Sequence, residues 1–493
     1  MAAIYSNNNF SIAPKGLVYL LLILGLSAIV YAFVLESWIL LVAAVCFPAA
    51  LLLGINCIRE PIVSYFVYVL LTSYFSAIYR YSHIEGLSLI LDASLLICLF
   101  SILLNTVIKR GSFSWKQSLN PLTLCYSLWW IYCILQVLNP NITVDEWIKN
   151  RIELFTLPVT FIVSGILLDS TKKLKYVIYF LGIFVITAAF KAYWQKSHGF
   201  DSTEIAWLIG GGAWHTHLLQ SGIRYFSFFT DAGNFGTIMG VFTVVFSILS
   251  FTTQKRYARI FFIIVTALSI ICMLMSGTRG AAVVPFGGIA LYLLLNKKIK
   301  AIILSCITLI AAFIFFAYTN IGNSNQFISR FRTAFHPTED ASFNVRIQNQ
   351  KYIAYYLQNK PFGVGLGKDI LDSKNFMENS TEAYIPTDSY YVQIWAQTGI
   401  VGLCLYIAVL ATILIYGCYI ILFRIQDYEL RSALTAFLCG IFGLWLSGYV
   451  GMGMAFHNGN ILTAMFLSFV LNGPLIEKKL KREAVLKKLT SVK

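Results

Sequence analysis

Arg279 stands in the stretch MSGTRGAAVV, residues 275–284, where two long apolar runs meet with little polar sequence between them. Its nearest acid along the chain is Asp231, too far in sequence for a local ion pair. Arg224 lies in RYFSFFTDAGNFG and Arg346 in FNVRIQNQ, each also beside a long apolar run or in the connection between two of them. A single arginine at such a place often just extends to lipid headgroups. Several on one face of a membrane suit a diphosphate, because the guanidinium fork meets phosphate oxygens two at a time and stays charged. A lipid-linked diphosphate is the anion expected there.

The elements that must position these arginines are membrane helices. Of the 493 residues 58% are apolar and only 12% charged, and the mean hydropathy is +0.73, far more apolar surface than a soluble core needs. Runs of about 20 apolar residues, enough to span a bilayer as helix, recur from Leu17 to near Leu475 and leave no soluble domain of ordinary size. The first run, Leu17 to Val34, is longer than a signal-peptide core and no small-residue cleavage pattern follows it, so it reads as a membrane helix. The formal charge of +15 is distributed by topology rather than gathered for nucleic acid. Basic residues fall in alternate connections, at Lys109 and Arg110, Lys172 and Lys173, Lys255 and Arg256, Lys297 and Lys298, Arg424 and Arg431, and in the tail. That pattern places those connections in the cytoplasm. The ten cysteines lie almost entirely within apolar runs and form no CxxC pair, which argues against disulfides and thiolate metal sites.

The predicted fold is all-α and polytopic, with about 14 spans (12–14) on the 20-residue criterion and both termini cytoplasmic. The spans start near Leu17, Trp38, Ile62, Gly86, Pro121, Arg151, Tyr176, Thr230, Arg259, Ala281, Ala301, Gly399, Ser432 and Asn460. The expected organisation is a block of N-terminal helices over 1–200, a catalytic region over 201–425, C-terminal helices over 426–475 and a basic cytoplasmic tail over 476–493. Two outer connections are long, Gln195–Phe229 and about 320–396. The second, a large and partly helical periplasmic loop, carries Arg330, Arg332, His336, Arg346 and Asp388. Its KYIAYYLQNKPFGVGLG mixes apolar and polar residues at helical spacing and predicts short helices on the outer membrane surface.

Other residues have two readings each. His336, in FHPTED, is a glycan-binding or proton-transfer candidate because imidazole titrates near neutrality, or an exposed loop histidine. His215 and His217 could share a face and hold a metal, but no third ligand is visible, and no metal is expected. Asp92, inside an apolar run, is a relay or a satisfied interior hydrogen-bonding group. IGGGAW, residues 209–214, lacks the lysine and hydroxyl of a phosphate loop and reads as a connection. Tryptophans such as Trp129, Trp130, Trp207, Trp214 and Trp395 mark interfacial belts or stack on sugars.

Four stretches in order, RYFSFFTDAGNFG, MSGTRGAAVV, NVRIQNQKYIAYYLQNKPFGVGLG and PTDSYYVQIWAQTGIVGL, resemble the O-antigen ligase and polymerase superfamily of bacterial membrane glycosyltransferases. The resemblance runs from about Arg224 to Leu403; the first helices match only in hydropathy. It implies a GT-C-like architecture in the bacterial inner membrane. The implied activity moves a glycan from undecaprenyl diphosphate, on the periplasmic face, to a hydroxyl of lipid A core or of another glycan, with neither nucleotide sugar nor cofactor. Carried over by position, Arg279 and Arg224 would grip the diphosphate and Arg346 would be the arginine of the outer segment. Fixed arginines there would stabilise the charge that builds on the leaving group, and the acceptor hydroxyl needs a base. Family ligases place a histidine in the final loop motif where this chain has Asp388, followed by Ser389 and Tyr390. Asp388 is thus the candidate base, or else a cap for the next helix, and Tyr390 stands among the candidate glycan-binding residues.

The function expected is ligase-type transfer, with a polymerase of the same superfamily or a protein-glycosylating transferase as close alternatives. A polysaccharide flippase is the alternative from another class. Transporters show internal repeats and polar groups near the bilayer midplane, whereas this chain shows no repeat and concentrates its polar residues outside.

Overall fold

The computed structural model describes residues 52–82, 84, 86–108, 115, 119–210, 212–219, 222–296, 299–332, 335, 341–367, 371–372 and 384–491. Among them the protein is helical almost throughout. Nine helices are long and apolar enough to cross a membrane, and three shorter apolar helices, Ile152–Leu167, Arg279–Leu295 and Ile302–Tyr318, accompany them. These match the predicted spans from Ile62 onward; the two expected near Leu17 and Trp38 lie outside the described residues. The all-α, polytopic membrane architecture is therefore observed.

In chain order the helices are α1 Pro61–Ser82, α2 Ser88–Ile108, α3 Pro121–Leu135, α4 Val144–Lys149, α5 Leu157–Leu167, α6 Thr171–His198, α7 Ser202–Gly210 and α8 Trp214–His217. They continue as α9 Ala232–Thr252, α10 Arg256–Met275, α11 Val283–Leu295, α12 Ile299–Tyr318 and α13 Gln326–Arg332. The last are α14 Ala341–Leu357, α15 Tyr390–Tyr419, α16 Tyr428–Ser447 and α17 His457–Ser491. Two antiparallel ladders of two residues per strand pair β1 Leu218–Leu219 with β2 Gly222–Ile223, and β3 Leu371–Asp372 with β4 Tyr384–Ile385. The basic tail is a continuation of α17, where Glu477 accepts from the backbone N–H groups of Gln426 and Asp427.

The chain divides into two compact units. In the smaller, residues 1–66 and 96–112, Ser101 Oγ and Asn105 Nδ2 both donate to the Ile58 carbonyl, at 2.8 and 3.2 Å. The larger, residues 67–95 and 113–493, is centred on α9, α16 and α17, the most deeply buried of the long helices. Lipid tails are as apolar as leucine, so close packing rather than water exclusion holds such helices together. Small residues supply it: a Cβ on Gly443 of α16 would sit 2.3 Å from the Val284 carbonyl oxygen of α11, and one on Gly288 would sit 2.8 Å from Val244 of α9.

Polar caps then fix the helix starts. Asp231 accepts from Asn234 N at the start of α9, Ser389 from Val392 N at the start of α15, and Asp427 from Leu430 N at the start of α16. At one end of this unit, the C-terminal ends of α1, α6, α10 and α16 meet the N-terminal ends of α9, α11, α15 and α17. Arg80 of α1 donates to the Ser227 and Phe229 carbonyls just before α9, and Gln195 of α6 receives Ser227 N. Tyr225 N donates to Met275 O at the end of α10, and Tyr390 N to Gly448 O at the end of α16.

The described residues between α12 and α15 fold onto this end. Ile353 and Leu357 of α14 are buried with Val364, Ile385, Val392 and Ala396, so α14 packs on the start of α15. The helical pattern expected through PFGVGLG ends at Leu357, and residues 361–367 form turns and bends in which Gly363, Gly365 and Gly367 have positive φ; α15 is broken at Gly399 (φ +71°). Pro361–Gly365 runs across that break, with Val364 N donating to Ala396 O and Gly365 N to Gln397 O, both at 2.9 Å. A Cβ on Gly399 would lie 1.9 Å from the Pro361 carbonyl oxygen, so no other residue fits there.

Candidate functional site

The turn that follows α10 organises the site. Gly277 adopts φ +57°, a left-handed conformation that other residues reach only at a cost. It turns the chain so that Arg279 opens the short 3-10 turn, Arg279–Ala282, leading into α11. Two arginines close over the bare glycine, since a Cβ there would lie 3.1 Å from Arg330 Cδ and 3.2 Å from Arg224 Cγ. Arg330 Nε donates to Gly277 O at 2.7 Å. Arg224 Nε donates to Ser276 O (3.2 Å), Nη1 to Thr216 O (2.8 Å) and Nη2 to Thr278 Oγ1 (2.8 Å). Carbonyls at the end of a helix carry partial negative charge, which is why cations settle there.

A second turn, Gly448–Gly451 after α16, completes the arrangement. Arg346 Nη1 of α14 donates to Val450 O at 2.9 Å. Gly280 packs on the same residue, so closely that a Cβ would meet Val450 Cγ2 at 2.9 Å. Gly448 O accepts from Ser389 Oγ (3.1 Å) and Tyr390 N (2.9 Å). Arg224, Arg279, Arg330 and Arg346 are thereby brought to two adjoining turns from four separate segments. The half-buried Arg224 guanidinium is held below its ordinary pKa by burial, against which Asp231 acts, and by the like charges of Arg279 and Arg346. Cations pressed together in this way favour an anion between them.

Of the residues expected from sequence, Arg224, Arg279 and Arg346 come together here. Asp388 borders the second turn through its neighbours and adopts φ +52°, a conformation that Asp tolerates better than most. It does not cap α15; Ser389 does. Tyr390 is buried, and its hydroxyl donates to Glu153 Oε1 at 3.0 Å. Tyr126 OH and Trp129 Nε1 donate to the other oxygen of Glu153, which stands in the π-turn Ile152–Thr156 before α5. His336 lies outside the described residues. Asp92 is the satisfied interior group of its two readings, paired with Arg151 Nη1 at 2.9 Å and accepting from Thr156 Oγ1 at 2.8 Å. His217 is structural: its Nε2 accepts the first N–H of α9, from Ala232, at 3.2 Å. That leaves Nδ1 as the protonated nitrogen, facing Ala213 O at 3.0 Å.

Sequence reasoning missed Glu153 and the Gly448–Gly451 turn, and named Arg330 only as one residue of the long loop. Arg330 shares its short helix with Arg332 and carried no separate signal. An acid at the edge of an apolar run was visible at Glu153, as was the glycine-rich stretch SGYVGMGMAFHNGN between the last two spans.

A family model described as O-antigen ligase matches residues 264–407, a range that holds Arg279, Arg330, Arg346 and Asp388. The chain is also 29% identical over 190 residues to an O-antigen polymerase of Salmonella muenchen, an overlap covering 37% of this chain and 45% of that protein. The chain thus spans less than half the length of the curated relative. Over 264–407, the range that carries Arg279, Arg330 and Arg346, the chain is thus similar to the O-antigen ligase family, and over 190 residues it is similar to an O-antigen polymerase.

Proposed function

We propose that this protein is a membrane glycosyltransferase of the O-antigen ligase type, acting on a glycan linked to undecaprenyl diphosphate at the periplasmic face of the bacterial inner membrane. The observation that carries the reading is the convergence of Arg224, Arg279, Arg330 and Arg346 on two adjoining turns. Arg224 and Arg330 spend some of their N–H groups on backbone carbonyls, which fixes the guanidinium planes before substrate arrives. Arg279, at the start of the turn on which Arg224 and Arg330 close, is the arginine assigned to the diphosphate. As the bond from the anomeric carbon to the diphosphate oxygen breaks, charge grows on the leaving group. The arginines stabilise that charge in the role that a divalent ion plays in other transferases. The acceptor oxygen forms the new bond to the anomeric carbon, and Asp388 takes its proton. The acceptor is lipid A core or another glycan.

Polymerisation of repeat units is the second reading, supported by the similarity to a protein named O-antigen polymerase. The test is Arg279→Ala in the host. Glycan transfer is expected to be lost while the protein still inserts, and near-normal transfer would overturn the proposal. Deleting the gene and sizing the undecaprenyl-linked glycans separates the alternatives. Long chains left on the lipid mean a ligase, single repeat units on the outer face mean a polymerase, and units trapped inside mean a flippase.

A further inference from the structure

Beside the arginine turns, a cavity of about 310 Å³ lies between α1, the start of α9 and the start of α17. That is at the lower end of the range for small-ligand sites. Its walls include Arg80, Asn234 and Asn458, which are 2%, 1% and 6% exposed. Among the described residues, Arg80 Nε, both polar atoms of the Asn234 amide and Asn458 Oδ1 are buried without a hydrogen-bond partner. A buried polar atom left unpaired is costly, and four on residues lining one cavity suit an occupant that can pair with them.

The chemistry of that occupant follows from the donors and acceptors on offer. Arg80 is already fixed: Nη1 and Nη2 donate to backbone carbonyls, and the guanidinium lies against the rings of Trp207 and Phe226, 4.6 and 4.4 Å from their centroids. Its Nε–H is left without a partner among the described residues. Asn234 adds a donor and an acceptor, and Asn458 an acceptor. An anion would leave the two acceptors unanswered, and an acyl chain would leave all four atoms unpaired. Hydroxyl groups, which donate and accept, answer every one. The rings of Phe75 and Tyr79 supply the apolar wall on which a sugar face rests. Across Ile152 and Ala455, which both cavities share, a second space of about 180 Å³ is lined by Asn150, Glu153, Gln393 and Gln397, so the hydroxyl-matching surface continues.

We propose that the cavity bounded by Arg80, Asn234 and Asn458 is a saccharide subsite, holding a sugar ring of the donor or of the acceptor glycan. The inference deepens the transferase reading and rests on it for the identity of the glycan. Thr278, at the arginine turn, donates to the Ala232 carbonyl two residues before Asn234, so the diphosphate and sugar sites share the first turn of α9.

The test is direct binding to the purified full-length protein. One probe is the oligosaccharide released by mild acid from the host's own polyprenyl carrier, which lacks the diphosphate; the other is inorganic diphosphate. Asn234→Ala is expected to weaken oligosaccharide binding at least tenfold and to leave diphosphate binding within twofold, while Arg279→Ala does the reverse. Asn458→Ala is the second variant, used if the first does not fold. No oligosaccharide binding by the wild type, or unchanged binding in the folded variants, overturns the subsite. In transfer assays, a rise in KM for the lipid-linked donor alone assigns the ring to the donor, and a rise for the acceptor alone assigns it to the acceptor. Since the binding readout does not depend on turnover, absence of glycan transfer by the wild-type protein would remove the transferase reading and leave the oligosaccharide result to stand or fall by itself.

Discussion

Thr278 Oγ1 accepts a hydrogen bond from Arg224 Nη2 and donates one to the carbonyl of Ala232, both at 2.8 Å. One hydroxyl thus ties an arginine of the site to the first turn of α9. Thr278→Val keeps the shape and removes both bonds. Losing a hydrogen bond to a charged group costs about 1.5–3 kcal/mol, so transfer is expected to fall roughly 10- to 100-fold, with Thr278→Ser close to wild type. Equal activity of the valine and serine variants, measured in membranes at matched protein level, would show that Arg224 does not need this tether.

Gly277→Ala tests the turn itself. A left-handed non-glycine residue costs about 1–2 kcal/mol, and the added methyl meets Arg330 and Arg224 at 3.1–3.2 Å. The thermal midpoint in detergent is expected to drop by several degrees, and KM for the lipid-linked donor to rise. A lower midpoint with unchanged KM would mean that the two arginines hold their places without the glycine.

Asp388→Asn separates backbone from chemistry. Asparagine tolerates the left-handed conformation about as well as aspartate, so the fold is expected to persist while transfer falls by about 10²–10⁴, the usual contribution of a general base. Asp388→Gly is expected to match it in both respects. An asparagine variant with more than half the wild-type rate would end the assignment of Asp388 as base.

His217 makes stability depend on pH. Burial, aided by the neighbouring Arg224 charge, holds its imidazole below the ordinary histidine pKa. Unfolded, it takes up a proton near pH ~6.5; folded, it does so only at lower pH. The unfolded state therefore binds more protons as the pH falls through this window, and stability present above it is progressively lost. The thermal midpoint is expected to fall between pH 7.5 and 5.5. His217→Gln should start lower, having lost the bond to Ala232 N, and decline less steeply. Identical slopes for the two proteins would place the acid sensitivity elsewhere.

Much of this arrangement is legible in the sequence. Spans from Ile62 onward follow from the length of apolar runs, because a bilayer leaves helix as the only way for such a run to satisfy its backbone. Arg224, Arg279 and Arg346 stood out because a cation beside an apolar run is costly and demands an explanation. What the sequence withheld depends on distant contacts. The Gly448–Gly451 turn carries no charge, and it matters only because Arg346, Gly280 and Tyr390 reach it from other segments. Glu153 gains its meaning from three donors, the farthest of them Tyr390. Asp388 looked like a cap because helix starts favour aspartate, but its left-handed backbone hands that task to Ser389.

The interruption at Gly399 also has a mechanical meaning. The carbonyls of Ala396 and Gln397 are taken by Val364 and Gly365, and Val401 N by Pro361 O. The first ten residues of α15 and the Pro361–Gly365 crossing are consequently a single lever, pinned at both ends of the break. Any tilt of that helical stub drags the crossing with it, and α14, anchored to both through Leu357 and Ile353, follows. Because Arg346 rides on α14, the bend in a membrane helix and the grip of an arginine on the Val450 carbonyl move as one linkage.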